Sequence, residues 1–90
     1  TLEKITVREK MTLLLDKLHQ RGSLGFEALF EQVRTRMEIV VTFLAMLELV
    51  KVRAIRIVQE ELDSPILIEA AAGMDEAAEQ VALDEEQNGA

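Results

Sequence analysis

Apolar and polar positions along this chain change pattern several times, and each pattern predicts one element. Val7, Met11, Leu14, Leu15 and Leu18 recur at three- and four-residue spacing, which predicts a helix with one buried side. Thr6-Val7-Arg8-Glu9 opens it with the spacing of a capping box: the Thr hydroxyl accepts a first-turn N–H while the Glu carboxylate accepts the Thr N–H. Arg21-Gly22 closes it with a cation for the helix dipole and a residue free to adopt positive φ. Ser23-Leu24-Gly25 has room for a very short strand or a turn. Phe26, Leu29, Phe30 and Val33 then mark one side of a short second helix over Phe26 to Val33. Thr35-Arg36-Met37-Glu38 repeats the capping box and starts a third helix running to about Lys51.

Beyond Lys51 the period shortens. Ile55 and Ile57 alternate with Ala54, Arg56 and Val58, a β-branched pattern that suits a strand. Glu60-Glu61-Leu62-Asp63-Ser64-Pro65 is a polar turn ended by a proline, and Ile66-Leu67-Ile68 is a return strand. The expected fold is mostly α with a small β-hairpin, hence α+β. Its order is helix, strand, helix, helix, strand, wing, strand: a winged helix-turn-helix.

The third helix is apolar nearly all round. The period allows Ile39, Val40, Phe43, Leu44, Met46, Leu47 and Val50 to share a wide core-facing arc. On that assignment Met37, Val41, Ala45 and Leu49 lie on the opposite arc with Glu38, Thr42 and Glu48, so about half of the outward face is apolar. Contiguous apolar surface of this kind marks a docking site.

Ninety residues make one domain, and the charge divides it. All ten Lys and Arg and ten of the seventeen acids fall in residues 1–68, which are neutral; the other seven acids fall in residues 69–90 without a base, giving the net charge of −7. The expectation is a folded domain over 1–68 and an acidic, disordered tail over 69–90, with at most a transient helix from Met74 to Leu83. A core of this size buries only about 60% of the surface of its unfolded chain, so a partner that binds the folded form adds stability.

The chemistry of catalysis is thinly represented: one His, and no Cys, Tyr or Trp. His19 reads as a surface residue near a helix C-terminus, and zinc needs more ligands than the chain offers. Glu60, Glu61 and Asp63 lack the spacing of a calcium loop, and Gly22-Ser23-Leu24-Gly25 lacks the pattern of a phosphate-binding loop. No enzyme activity, cofactor or metal is expected. With no apolar run of ~18 residues and no visible signal peptide, no membrane attachment is expected either, and the cytoplasm is the expected compartment. The serious alternative is a DNA-binding winged-helix transcription regulator. It would use Arg34, Arg36, Lys51, Arg53 and Arg56, but the outward arc shows Val41, Ala45 and Leu49 where base-reading side chains belong.

Val40-Val41-Thr42-Phe43-Leu44-Ala45-Met46-Leu47-Glu48-Leu49-Val50-Lys51, followed by a strand ending Val58-Gln59-Glu60-Glu61, closely resembles the C-terminal domain of the ScpA family, the bacterial kleisins. Ile5-Thr6-Val7-Arg8-Glu9-Lys10-Met11 and Gly25-Phe26-Glu27-Ala28-Leu29-Phe30 resemble it too. The resemblance covers about residues 1–68 and departs at Leu62-Asp63-Ser64-Pro65, where the family often has an aromatic residue and a glycine in the wing turn. It implies a non-catalytic adaptor that docks on the ATPase head of an SMC protein, in a complex that condenses and segregates chromosomes. ScpB would join through another region of the kleisin, and DNA indirectly through the complex, so the setting would be the nucleoid. On this basis the partner-binding residues are expected to be Met37, Val41, Ala45 and Leu49 on the third helix, extended by Arg56, Val58, Gln59 and Glu60 on the wing.

Overall fold

The computed structural model describes residues 6–88. Its elements, in chain order, are α1 (Val7–Arg21), β1 (Ser23–Gly25), a 3-10 helix (Glu27–Phe30), α2 (Arg36–Lys51), β2 (Ile55–Val58), β3 (Leu67–Ala70) and α3 (Met74–Asn88). Both capping boxes form. Thr6 Oγ1 accepts the Glu9 N–H at 3.1 Å while Glu9 Oε1 accepts the Thr6 N–H at 2.8 Å. Thr35 Oγ1 accepts the Glu38 N–H at 3.1 Å, and Glu38 Oε1 accepts the Thr35 N–H at 3.1 Å. Gly22 stops α1 at φ 82°, its N–H on the Leu18 carbonyl at 2.7 Å. Ile5, the first residue of one stretch that carries the resemblance, lies outside the described residues.

The strands form one antiparallel sheet in the order β1-β3-β2. β3 pairs Ile68 with Leu24 on one side and with Ile57 on the other, which puts the return strand at the centre and leaves β2 at an edge. Leu14, Leu15 and Leu18 of α1 meet Ala45, Met46 and Leu49 of α2, and Leu24, Leu29, Ile55 and Ile68 close the core around them. The Phe26 and Phe30 rings stack at 5.3 Å and 58° on its margin. The architecture is therefore α+β, a small winged helix. The second helix expected over Phe26 to Val33 contracts to the single 3-10 turn, since four residues cannot complete two α-helical turns.

The far end of the chain departs most from expectation. Residues 74–88, expected as part of a disordered tail, form α3, which lies against α1 and buries Met74, Ala77 and Val81. These three recur at three- and four-residue spacing, enough for a narrow apolar stripe that a neighbouring helix holds in place. Glu69, counted with that tail, belongs to β3 and pairs with Arg56. Residues 89 and 90 lie outside the described residues. Gly73 makes the junction possible: its N–H reaches the Arg53 carbonyl at 3.1 Å, and a Cβ at this position would stand 2.8 Å from the same oxygen.

Among the described residues one buried side-chain polar atom is unsatisfied. Thr42 is 1% exposed, and its hydroxyl has no hydrogen-bond partner. Replacement by the near-isosteric Val removes a desolvated donor without opening a cavity, so Thr42→Val is expected to stabilise the domain by about 1 kcal/mol. For a domain this small that corresponds to a rise in Tm of roughly 4–8 °C, which a thermal melt followed by circular dichroism reads directly.

Candidate docking face

α2 places its two apolar arcs opposite to the sequence-based assignment. Val41, Ala45 and Leu49, expected to face outward as partner contacts, are 9%, 0% and 0% exposed and lie in the core. Their place there follows from size. Ala45 presents no more than a methyl group to α1, so the two helix backbones can approach closely and Leu49 can pack against α1 and the sheet. Among the residues expected to form the core arc, Met46 is buried and Val50 half-buried, whereas Ile39, Val40, Phe43, Leu44 and Leu47 are between 42% and 50% exposed. Met37, expected to be exposed, is exposed.

The outward face of α2 is consequently the larger of the two in side-chain volume. At about 100° per residue, Met37, Val40, Phe43, Leu44 and Leu47 share one arc of the helix. From Met37 to Leu47 the axis rises ~15 Å, so the arc forms a continuous apolar strip rather than scattered residues. Arg36 and Lys51 lie on the same arc at its two ends, both exposed. They are the one sequence signal that distinguishes the arcs, because the opposite arc has no cation. Among the described residues nothing covers the strip.

The wing residues divide between structural and surface positions. Arg56 Nε donates to Glu69 Oε1 at 3.2 Å across the β2–β3 pair, and both are cross-strand partners. Val58 is half-buried opposite Leu67. Gln59 clasps the turn: its Nε2 donates to the Leu62 carbonyl at 3.1 Å and to the Ser64 carbonyl at 2.9 Å. That side chain is committed to the wing's own shape. The turn so held displays Leu62 at 98% exposure, a residue the sequence reading passed over as part of a polar loop. Glu60 is exposed beside it. Among the described residues no three carboxylate or imidazole side chains converge as a metal site would require. His19 is exposed in the last turn of α1.

The start of α2 is electrostatically set. The Arg34 N–H donates to Glu38 Oε1 at 2.6 Å, and this bond, aided by that from Thr35 and by the charges of Lys10 and Arg34, holds the Glu38 carboxyl below its ordinary value against the opposing effect of desolvation. A depressed folded-state value stabilises the fold at pH above the unfolded value, and that stabilisation disappears as pH falls through the folded one. The Tm difference between the natural chain and Glu38→Gln should therefore be largest at neutral pH and shrink on acidification through and below the ordinary glutamate range.

This winged helix thus presents, on the outward arc of α2, an apolar strip with cations only at its ends. The comparisons give the family. The family model for segregation and condensation protein ScpA matches residues 1–71, and the chain belongs to that family. It is 44% identical over 68 residues to segregation and condensation protein A of Myxococcus xanthus, covering 73% of this chain and 24% of the relative. The protein of the same name from Halothermothrix orenii is 42% identical over 73 residues, 79% of this chain and 30% of that one. The one from Brevibacillus brevis is 41% identical over 66 residues, 73% and 26%. The chain thus spans about a quarter of the length of these curated relatives. Among the described residues no helix is long and apolar enough to cross a membrane.

Proposed function

We propose that this domain is the docking end of a kleisin, a non-catalytic adaptor that seats the outward strip of α2 on the ATPase head of an SMC protein. The observation that carries the proposal is that strip: Val40, Phe43, Leu44 and Leu47, each more than two-fifths exposed on one arc of a helix whose other arc fills the core. A monomer of this size has little reason to keep four large apolar side chains in water, and a partner surface that covers them gains about 25 cal/mol for each Å² of apolar area removed. Leu62 at the wing tip and the free edge of β2 can extend the contact, the latter by adding a strand of the partner to the sheet. ScpB, joined through another part of the kleisin, and chromosomal DNA complete the assembly, which acts at the nucleoid in the cytoplasm. The family names of the relatives, which speak of segregation and condensation, support the setting.

The alternative, a transcription regulator, would have α2 read base edges. Its outward arc has no Asn or Gln, and Arg36 and Lys51 sit at its extremities, so the middle of the helix has no group with which to discriminate bases. Calorimetric titration of the chain with a purified SMC ATPase head tests the adaptor reading, which expects saturable one-to-one binding.

A further inference from the structure

The chain has a large negative net charge, yet its bases are sorted in space. Lys10, Leu13, Lys17 and Arg21 fall on one flank of α1 and form a wall of a groove whose far side is the segment after the 3-10 helix, including Glu31 and Gln32. The acidic helix α3 packs elsewhere: its groove is lined by Met11 and Val52, and Met11 is about 120° around α1 from Lys17. Among the described residues, no α3 carboxylate lines the groove beside this basic flank. Lys17 and Arg21 are exposed, and among the described residues neither has a carboxylate within ion-pair distance. Arg34 prolongs the patch, since it and Lys10 both act on Glu38.

We infer that this α1 flank is a sequence-independent binding surface for the phosphate backbone of duplex DNA, separate from the protein-docking strip on α2. Lys10, Lys17 and Arg21 extend over ~16 Å of helix axis, about the length of five base pairs. They form a row rather than a pocket, which suits a backbone and provides no base readout. Gln32, exposed on the opposite wall, adds an amide donor of the kind that bonds phosphate oxygens. Glu31 on that wall and Glu38, beside Lys10 and Arg34, are the acids that oppose it. The flank is on α1, which precedes the helix-turn-helix formed by the 3-10 helix and α2, so α2 need not enter a groove. A domain that holds a protein with α2 and a phosphate row with α1 couples its partner to DNA without choosing a sequence.

The test is fluorescence anisotropy of a labelled random duplex of about 20 base pairs, titrated with the whole chain between about 50 and 200 mM salt. Neutralising three to four phosphates gives a slope of about −3 for log K against log salt. Lys10→Glu combined with Lys17→Glu and Arg21→Glu should weaken binding at least about tenfold, a conservative bound for three lost contacts. Glu31→Gln should strengthen it, and Leu47→Glu should leave it unchanged. Should the triple reversal fail to melt cooperatively, Lys17→Gln with Arg21→Gln takes its place, with a smaller slope expected. Absence of salt-sensitive binding by the natural chain at low salt, or binding indifferent to these changes, overturns the inference. A poly-glutamate peptide bound as tightly as the duplex also overturns it, in favour of an acidic protein partner.

Discussion

Leu49→Arg should leave the domain unfolded. Leu49 is 0% exposed at the junction of α1, α2 and the sheet, and its carbonyl accepts the Ala54 N–H at 2.8 Å, the bond that turns the chain from α2 into β2. Truncating such a leucine costs about 2–5 kcal/mol for the lost contacts alone. An arginine adds the burial of a cation with no partner carboxylate among its core neighbours, a further penalty of several kcal/mol. A domain of about 80 residues has roughly 4–12 kcal/mol of stability in all, so the combined loss removes most or all of it. Circular dichroism and a thermal melt read the outcome. A cooperative melt near the natural temperature would mean that Leu49 reaches solvent and that the two arcs of α2 are reversed.

Leu47→Glu should do the opposite: keep the fold and lose the partner. Leu47 is 43% exposed at the C-terminal end of the strip, one turn beyond Phe43 and Leu44, so its carboxylate replacement stays hydrated in the free domain. Against a covering protein the same carboxylate is desolvated among apolar groups. A large apolar side chain covered in this way behaves as a hot spot, worth about 2 kcal/mol or more, which is a loss in affinity of roughly 30-fold or more. Unchanged helical signal and unchanged Tm must accompany the loss. The pair of variants thus separates the arcs: one residue of each, two positions apart on one helix, with opposite effects on stability and binding.

Much of this architecture was legible in the residues, and the part that was not has a definite cause. Both capping boxes announced themselves through Thr6 with Glu9 and Thr35 with Glu38, because a cap is a local device whose partners lie three residues apart. The core side of α1 followed from its spacing, since its other flanks carry charge. α2 offered no such contrast. With apolar residues on both arcs the period alone is silent on which faces inward, and choosing the bulkier arc as core failed because helix packing favoured the smaller one, Val41 with Ala45. Arg36 and Lys51 held the answer. The acidic end was misjudged for a related reason: its composition suggests a solvated chain, but Met74, Ala77 and Val81 need only one neighbouring helix to order them. The role of Gln59 depends on the shape of a turn that no local pattern specifies.

Calorimetric titration of a purified SMC ATPase head with the natural chain and with Leu47→Glu, in parallel, tests the central claim most directly. Saturable one-to-one binding by the natural chain, weakened at least about 30-fold in a variant that still melts cooperatively, is the predicted result. Equal binding by both chains, or none by either, would contradict the assignment of the α2 strip as the docking face.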